Sequence, residues 1–283
     1  MPYKKNNKKE KMKIAYLSDQ KIDTYQGGAE LTDYYWVNQG IKEGLDISHY
    51  TSQDSIPLDH DLYVISNHEG LKNKIEFKSI INSKSFVLIV HNSQKRGFDQ
   101  YVFDQAKRIV WIAPDHEEQY GVKYTKSIIK PPYVDTSKFK NLKKKRKLNQ
   151  LYIGEVARHK FTPLMARHVL SNPNKQFDLY GHVTDSQYLL ELNSIPNLNI
   201  FDKIENSKLP WIYNQYQTFF WHLDRYGSYG RTLVEALLCG CNLNVNKTNF
   251  GLFKYNVNFH SSKEVANWLD YELQTFWQDI LTT

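Results

Sequence analysis

The stretch W-H-L-D-R-Y-G-S-Y-G-R-T-L-V-E-A-L-L-C-G-C-N-L-N-V, Trp221 to Val245, decides the fold. It begins at the end of an apolar run, Thr218 to Trp221, that reads as a buried strand. A loop follows, with glycines at 227 and 230. From Arg231 to Cys239 the pattern is helical, with Leu233, Ala236 and Leu237 on one face and Gly240 as the stop. Cys241 to Val245 reads as the next strand. Strand, glycine loop and helix N-terminus is how an α/β protein builds a site for an anion. The first N–H groups of the helix and the positive end of its dipole point at the ligand, and glycine lets the backbone come close. Tyr229, Gly230 and Arg231 stand at that point, and Glu235 lies one turn inside, where its carboxylate can accept hydrogen bonds from hydroxyl groups. From this stretch alone, an ordinary helix with a surface glutamate reads equally well.

The 283 residues suit one large domain or two of about half that size, with room for sizeable cores. Charged residues at 24% and hydrophobic residues at 41% are ordinary for a soluble globular protein. No apolar run is long enough to span a membrane, and no apolar segment follows the basic N-terminus as in a signal peptide. The only cysteines, Cys239 and Cys241, make no metal or disulfide framework by themselves, and the expected location is the cytoplasm. The formal charge of +7 is unevenly placed. Residues 1–13 carry six lysines against Glu10, and residues 138–147 carry seven basic residues and no acid, which leaves the remainder at −5. Such runs are ordinarily solvated; their other use is contact with a polyanion, either nucleic acid or an anionic membrane surface. Lys143, Lys144, Lys145, Arg146 and Lys147 are the candidates for that contact.

Outward from the opening stretch, the same alternation recurs. Lys13 to Ser18 reads as a first strand, Gly27-Gly28-Ala29-Glu30 opens a helix, and Leu31, Tyr34, Asn38 and Ile41 fall at helical spacing. Strand-like runs follow at 45–50, 61–66, 85–91, 108–113 and 126–130, with helical candidates at 70–82 and 98–106. Pro131-Pro132 and the basic run then interrupt the pattern, which marks a domain boundary. Alternation resumes with strand 151–154, helix 162–171, strand 176–180, helix 185–194, a short strand at 198–201 and a short helix at 207–214. Gly240 to Phe259 is expected to carry two strands. Ser261 caps a final helix, with Glu264 at the capping-box position, burying Val265, Trp268, Leu269, Leu273, Phe276 and Ile280. The expected organisation is a basic disordered tail (1–12), a Rossmann-like domain (13–137), a basic linker (138–150), a second Rossmann-like domain (151–260) and a C-terminal helix (261–283). Both domains are expected to be doubly wound α/β units facing a central cleft, with ligands at the carboxyl ends of the strands.

Candidate chemistry lies where strands end. His91 closes the strongest apolar run of the first half. Gly154 to Lys160 follows the first strand of the second half, and Arg158 and Lys160 there are charged donors suited to a diphosphate. Gly181-His182 ends the next strand, where a base or ribose can stack. Gly27 and Gly28 let the first loop approach a phosphate.

Taken in order, these residues resemble the GT-B glycosyltransferases of the large group-1 type, and the matching motifs run from about Lys13 to Phe259. Gly27 to Glu30 looks like the family's G-G-x-E loop, and His91 stands where the family carries a histidine near the transferred sugar. Ile128 to Phe139 is similar to its I-P-N-G-V-D-x-x-x-F crossing. Gly154 with Lys160 resembles G-R-x-x-x-x-K, Lys208 to Tyr213 resembles E-L-P-x-x-Y, and Tyr229 to Gly240 resembles F-G-x-x-x-x-E-A-x-x-x-G. There are departures. The first glutamate of E-x7-E would fall at Gly227, with Asp224 the nearest acid upstream, and Glu155 replaces the arginine after Gly154, leaving Arg158 as its stand-in.

The resemblance implies a hexosyl- or pentosyltransferase that takes a sugar from a nucleotide sugar, expected to be a UDP-sugar, with retention of configuration. Lys160 and Arg158 would stabilise the leaving diphosphate, Glu235 would hold the donor ribose, and His91 would line the sugar side. No divalent metal is required, since basic residues carry that role. The expected acceptor is a glycan or surface polymer. One alternative is a DNA glycosyltransferase acting on modified bases such as hydroxymethylcytosine in duplex DNA, with the 138–147 run beside the cleft mouth. Another is a degenerate module that binds nucleotide or polyanion and transfers nothing.

Overall fold

Apolar runs without polar alternation call for a sheet covered on both faces. The computed structural model, which describes residues 11–66, 70–91, 100–121, 124, 126–227 and 229–282, contains two such sheets. Most of the basic tail, residues 1–10, lies outside the described residues. The chain divides into two units. Unit 1 is Met1–Trp111, Tyr124–Ile128 and Leu273–Thr283; unit 2 is Ile112–Lys123 and Ile129–Glu272.

Unit 1 is built from β1 (Lys13–Ser18), α1 (Gly28–Lys42), β2 (Asp46–Thr51), β3 (Leu62–Ser66), α2 (Ile75–Ser83), β4 (Phe86–Val90), α3 (Gln100–Gln105), β5 (Arg108–Trp111) and β6 (Ser127–Ile129). Its sheet runs β2-β1-β3-β4-β5-β6, and the pairings from β2 through β5 are parallel. Strands β3 and β4 are buried along their whole length. The winding reverses between β1 and β3, so their carboxyl ends flank the crevice that doubly wound sheets use for ligands.

Helix α1 turns a different face inward from the one its apolar residues predict. Tyr34 and Ile41 are exposed, and Glu30, Asp33, Trp36, Val37 and Gly40 are buried. The cause is Trp277. It donates from Nε1 to the Trp36 carbonyl at 2.7 Å, while Phe276 stacks on the Trp36 ring at 4.3 Å. A Cβ on Gly40 would lie 2.5 Å from Trp277 Nε1 and 2.3 Å from Ile47 Cδ1, so only glycine admits this packing.

Unit 2 begins with α4 (His116–Tyr120), a short helix with no periodicity long enough to show in the sequence. It continues through β7 (Lys147–Ile153), α5 (Pro163–Leu170), β8 (Phe177–Tyr180), α6 (Ser186–Asn193), β9 (Leu198–Phe201), α7 (Leu209–Tyr213), β10 (Tyr216–Trp221), α8 (Arg231–Leu238) and β11 (Asn242–Val245). The parallel sheet runs β11-β10-β7-β8-β9, with its switch point between β7 and β10. Phe161, Met165, Val169, Phe177, Leu179, Tyr188, Leu192 and Phe220 pack into one core under α5 and α6.

Two expectations are corrected here. Strand β7 starts at Lys147, so the end of the basic run is paired strand. Only one strand, β11, lies among residues 240–259; residues 247–249 and 251–254 are 3-10 turns, because K-T-N-F-G offers turn formers where a second strand needs β-branched residues.

The last helix, α9 (Ser262–Leu281), starts where Ser261 Oγ accepts the Glu264 N–H at 3.2 Å. It buries Val265, Leu269, Phe276 and Ile280 as expected, together with Trp277; Trp268 and Leu273 are only half-buried.

Candidate functional site

In unit 2 the loops after β7, β8 and β10 meet at the switch point. Val156 N donates to the His182 carbonyl at 2.9 Å and Gly154 N to the Tyr180 carbonyl at 3.0 Å, so the first two loops stay paired beyond their strands. They approach so closely that a Cβ on Gly181 would lie 1.7 Å from the Gly154 carbonyl oxygen. Gly181 is therefore required by backbone packing, a Cβ on Gly154 would instead meet the Tyr152 hydroxyl at 2.4 Å, and the pairing brings exposed His182 beside the 154–160 loop. Lys160 ends that loop, exposed, just ahead of α5. Arg158 is engaged with α6: its guanidinium pairs with Glu191, approaches Asp185 at 3.9 Å and lies 4.6 Å over the Tyr188 ring. A diphosphate would have to draw it away from two carboxylates.

The third loop supplies a cation the sequence motifs do not single out. Arg225, exposed, donates to the His159 carbonyl at 3.4 Å and so joins the loop of Lys160. Further along, Gly227 pairs with the 249–251 segment, its N–H donating to the Asn249 carbonyl at 2.7 Å. A Cβ there would lie 2.5 Å from Leu223 Cδ1, so a side chain at this position requires the leucine to shift. Gly230 takes a left-handed conformation (φ 80) and opens α8 with no side-chain cap, leaving the N-terminal turn to backbone groups alone.

The side chains around that turn point inward. Tyr229 is buried, so only its backbone is available. Arg231 donates from Nε to Glu235 at 3.0 Å and from its guanidinium to the Tyr133 carbonyl. Glu235 is 3% exposed, and its second oxygen accepts from Tyr213 at 3.0 Å. Burial pushes its carboxyl above the usual range, against the pull of Arg231 and the two hydrogen bonds. Glu235 and Arg231 thus form an internal pair, and the Tyr213 hydrogen bond ties α8 to α7.

In unit 1, Gly27 precedes α1 in an extended conformation, where a Cβ would meet Glu30 Oε2 at 2.3 Å, and Gly28 is exposed. His91 follows β4 directly. Its Nε2 lies 2.8 Å from Ser66 Oγ and 3.5 Å from Asp33 Oδ1. Neither partner is signalled by a motif; only the fold brings them to the histidine.

The basic run is placed otherwise than expected. Lys147 pairs with Tyr216 at the start of β10 and sits 5.1 Å over its ring, so the run lies at the amino edge of the unit 2 sheet, opposite the Lys160 end. Arg146 is structural, donating to the Tyr216 carbonyl at 2.7 Å and the Cys239 carbonyl at 2.5 Å. Lys143, Lys144 and Lys145 remain exposed. An Asp-x-Asp pair, Asp59 and Asp61, is likewise at an amino edge, that of the unit 1 sheet, where Asp61 accepts the Lys13 N–H at 2.8 Å. Both cysteines are buried free thiols, and burial pushes Cys241 up to about 11. Among the described residues no helix is long and apolar enough to cross a membrane.

No protein-family model matches the chain, and no curated protein matches it by sequence. Solved structures do match. The glycosyltransferase AviGT4 of avilamycin A biosynthesis superposes with a TM-score of 0.67 at 10% identity, covering 95% of this chain and 96% of its own. Anabaena HepE, in complex with UDP and glucose, gives 0.64 at 14% identity over 95% and 91%. An alpha-glucosyltransferase in complex with UDP and a 13-mer DNA containing an HMU base gives 0.58 at 14% identity over 95% of each chain. The parallel sheets, their switch points and this likeness over nearly the whole length agree: the chain has the GT-B fold of these glycosyltransferases.

Proposed function

We propose that this protein is a glycosyltransferase that moves a hexose or pentose from a UDP-sugar to a glycan or surface-polymer acceptor, with retention at the anomeric carbon. The observation that carries the proposal is the convergence at one sheet end of Lys160, Arg225, exposed His182 and the uncapped N-terminus of α8. The fold likeness to proteins solved with UDP supports it. Catalysis would be largely electrostatic. As the glycosidic bond breaks, negative charge grows on the departing diphosphate, and preorganised cations and N–H groups stabilise it without reorganising. His182 would lie against the nucleoside, and His91 would face the sugar. A thermal-shift panel of UDP-, GDP-, ADP- and CMP-sugars tests this. A ligand at about 100 times its dissociation constant stabilises by roughly 2.7 kcal/mol; UDP-sugars should shift the melting curve, and silence across the panel would sink the proposal.

A second reading, duplex DNA as acceptor, is favoured by exposed Lys143, Lys144 and Lys145 and by a structural neighbour solved with DNA. Against it stands the position of those lysines at the amino edge of their sheet. Duplex affinity measured at two salt concentrations separates the two. DNA binding through phosphates weakens by about 0.9 in log K per contact for each decade of salt, and negligible or salt-independent affinity leaves the glycan acceptor standing.

A further inference from the structure

Four side chains from separate elements of unit 1 meet at its switch point: Tyr16 of β1, Asp33 of α1, Ser66 of β3 and His91 after β4. Asp33 is wholly buried on a helix face that should hold an apolar residue, a costly place for a carboxylate. Its Oδ1 accepts from the Tyr16 hydroxyl at 2.7 Å and from Ser66 Oγ at 2.7 Å, while Oδ2 is buried and has no hydrogen-bond partner among the described residues. Burial and the adjacent Asp33 push the Tyr16 hydroxyl well above its usual range, so it stays a donor.

The protons in this chain can be counted. Ser66 has one hydroxyl proton, and it goes to Asp33. Its 2.8 Å contact with His91 Nε2 must therefore run the other way, with Nε2–H donating to the serine oxygen. The 3.5 Å approach of Nε2 to Asp33 Oδ1 favours the same proton. In the neutral ring that leaves Nδ1 as the acceptor atom.

We propose that Asp33 is a positioning residue: acting through Ser66, it holds His91 in the Nε2–H tautomer, so that Nδ1 accepts a hydrogen bond from a hydroxyl of the bound sugar. The sugar half of this inference rests on the transferase function proposed above; the tautomer half does not. Asp33→Leu keeps most of the volume and leaves Ser66 without its acceptor on α1, whereas an asparagine would keep a carbonyl oxygen at the Oδ1 position that Tyr16 and Ser66 both address. The serine proton is then free to point at Nε2, and the ring turns over to Nδ1–H.

Long-range proton–nitrogen spectra of protein labelled with nitrogen-15 histidine read the tautomer directly, with His91→Gln identifying the resonance. The expected result is Nε2–H in the wild type, a shift to Nδ1–H in Asp33→Leu and a mixed population in Ser66→Ala. With UDP-sugar and acceptor, Asp33→Leu should lose roughly 10-fold in kcat/KM, the size of one hydrogen bond, with an unchanged thermal shift by UDP. Nδ1–H in the wild type overturns the proposal, as does a tautomer indifferent to both substitutions or full activity in a variant whose tautomer has changed. Should Asp33→Leu fail to fold, Ser66→Ala, which deletes only a hydroxyl, carries the same readouts. Absence of any nucleotide-sugar shift removes the transferase and the sugar role of His91 together, while the spectra still decide whether Asp33 governs the ring.

Discussion

Glu235 and Lys160 stand in two different sequence motifs and answer differently to substitution. Glu235→Ala leaves the Arg231 guanidinium buried without its carboxylate and the Tyr213 hydroxyl without its acceptor. Breaking a buried pair from one side costs about 3–5 kcal/mol, so the loss should appear as a lower urea midpoint, with little change in the KM for donor of whatever remains folded. A raised KM at unchanged stability would return Glu235 to the ribose. Lys160 is exposed and free to meet charge that develops as the diphosphate leaves. Lys160→Ala should lower kcat by about 100-fold or more with a small rise in KM, as removal of a transition-state donor does. Unchanged turnover would exclude it from the reaction.

At the scale of elements, α5 meets β10 through a stack of rings. His168 lies 5.0 Å from Phe220 and 5.0 Å from the His222 ring, with Phe177 at its edge. Burial, then His222 and Lys175, push His168 below its usual value, so the folded protein holds this proton less readily than the unfolded chain. The contribution to stability is therefore complete above the unfolded value near 6.5 and is lost as pH falls through the lower folded value. His168→Phe should flatten the fall in Tm between neutral and acid pH, and an identical acid slope would show that the stack does not titrate. At the other end of the sheet, Gly240 (φ 83) closes α8, with Cys241 N donating to the Ala236 carbonyl at 2.9 Å. Its missing Cβ would stand 2.3 Å from Asn141 Nδ2 and 3.0 Å from Arg146. Gly240→Ala should cost at least about 1–2 kcal/mol from the left-handed backbone alone, read as a lower urea midpoint; an unchanged midpoint would mean that this turn relaxes freely.

Across the whole molecule, the positive charge and the candidate site occupy different places. The described fold carries the acidic remainder, and the lysines cluster at an amino edge while the candidate donor groups sit at a carboxyl edge. Replacing Lys143, Lys144 and Lys145 together with glutamine should leave the UDP-sugar thermal shift as in the wild type, and leave Arg146 to its carbonyls. If duplex DNA binds through them, the salt slope of log K should fall by about 2.7, three contacts at 0.9 each. A weakened donor shift in the triple variant would contradict the placement.

The strand runs at 62–66 and 86–90, the glycine loop before α8 and the order of elements were all legible in the chain, because burial on both faces and backbone reversal are written in local residue choice. The same locality limited the reading. Whether Glu235 faces solvent depends on Tyr213 and Arg231, and whether Arg158 is available depends on Glu191. No motif marks Asp33; it is buried because Trp277, far along the chain, packs on Trp36 of the same helix and Ser66 and His91 close on its carboxylate. Local sequence determined which segments are strands, helices and turns; the tertiary structure decided which charges are paired, because a buried carboxylate or guanidinium takes the partner that folding brings within about 3 Å, and that partner is set by topology rather than by spacing.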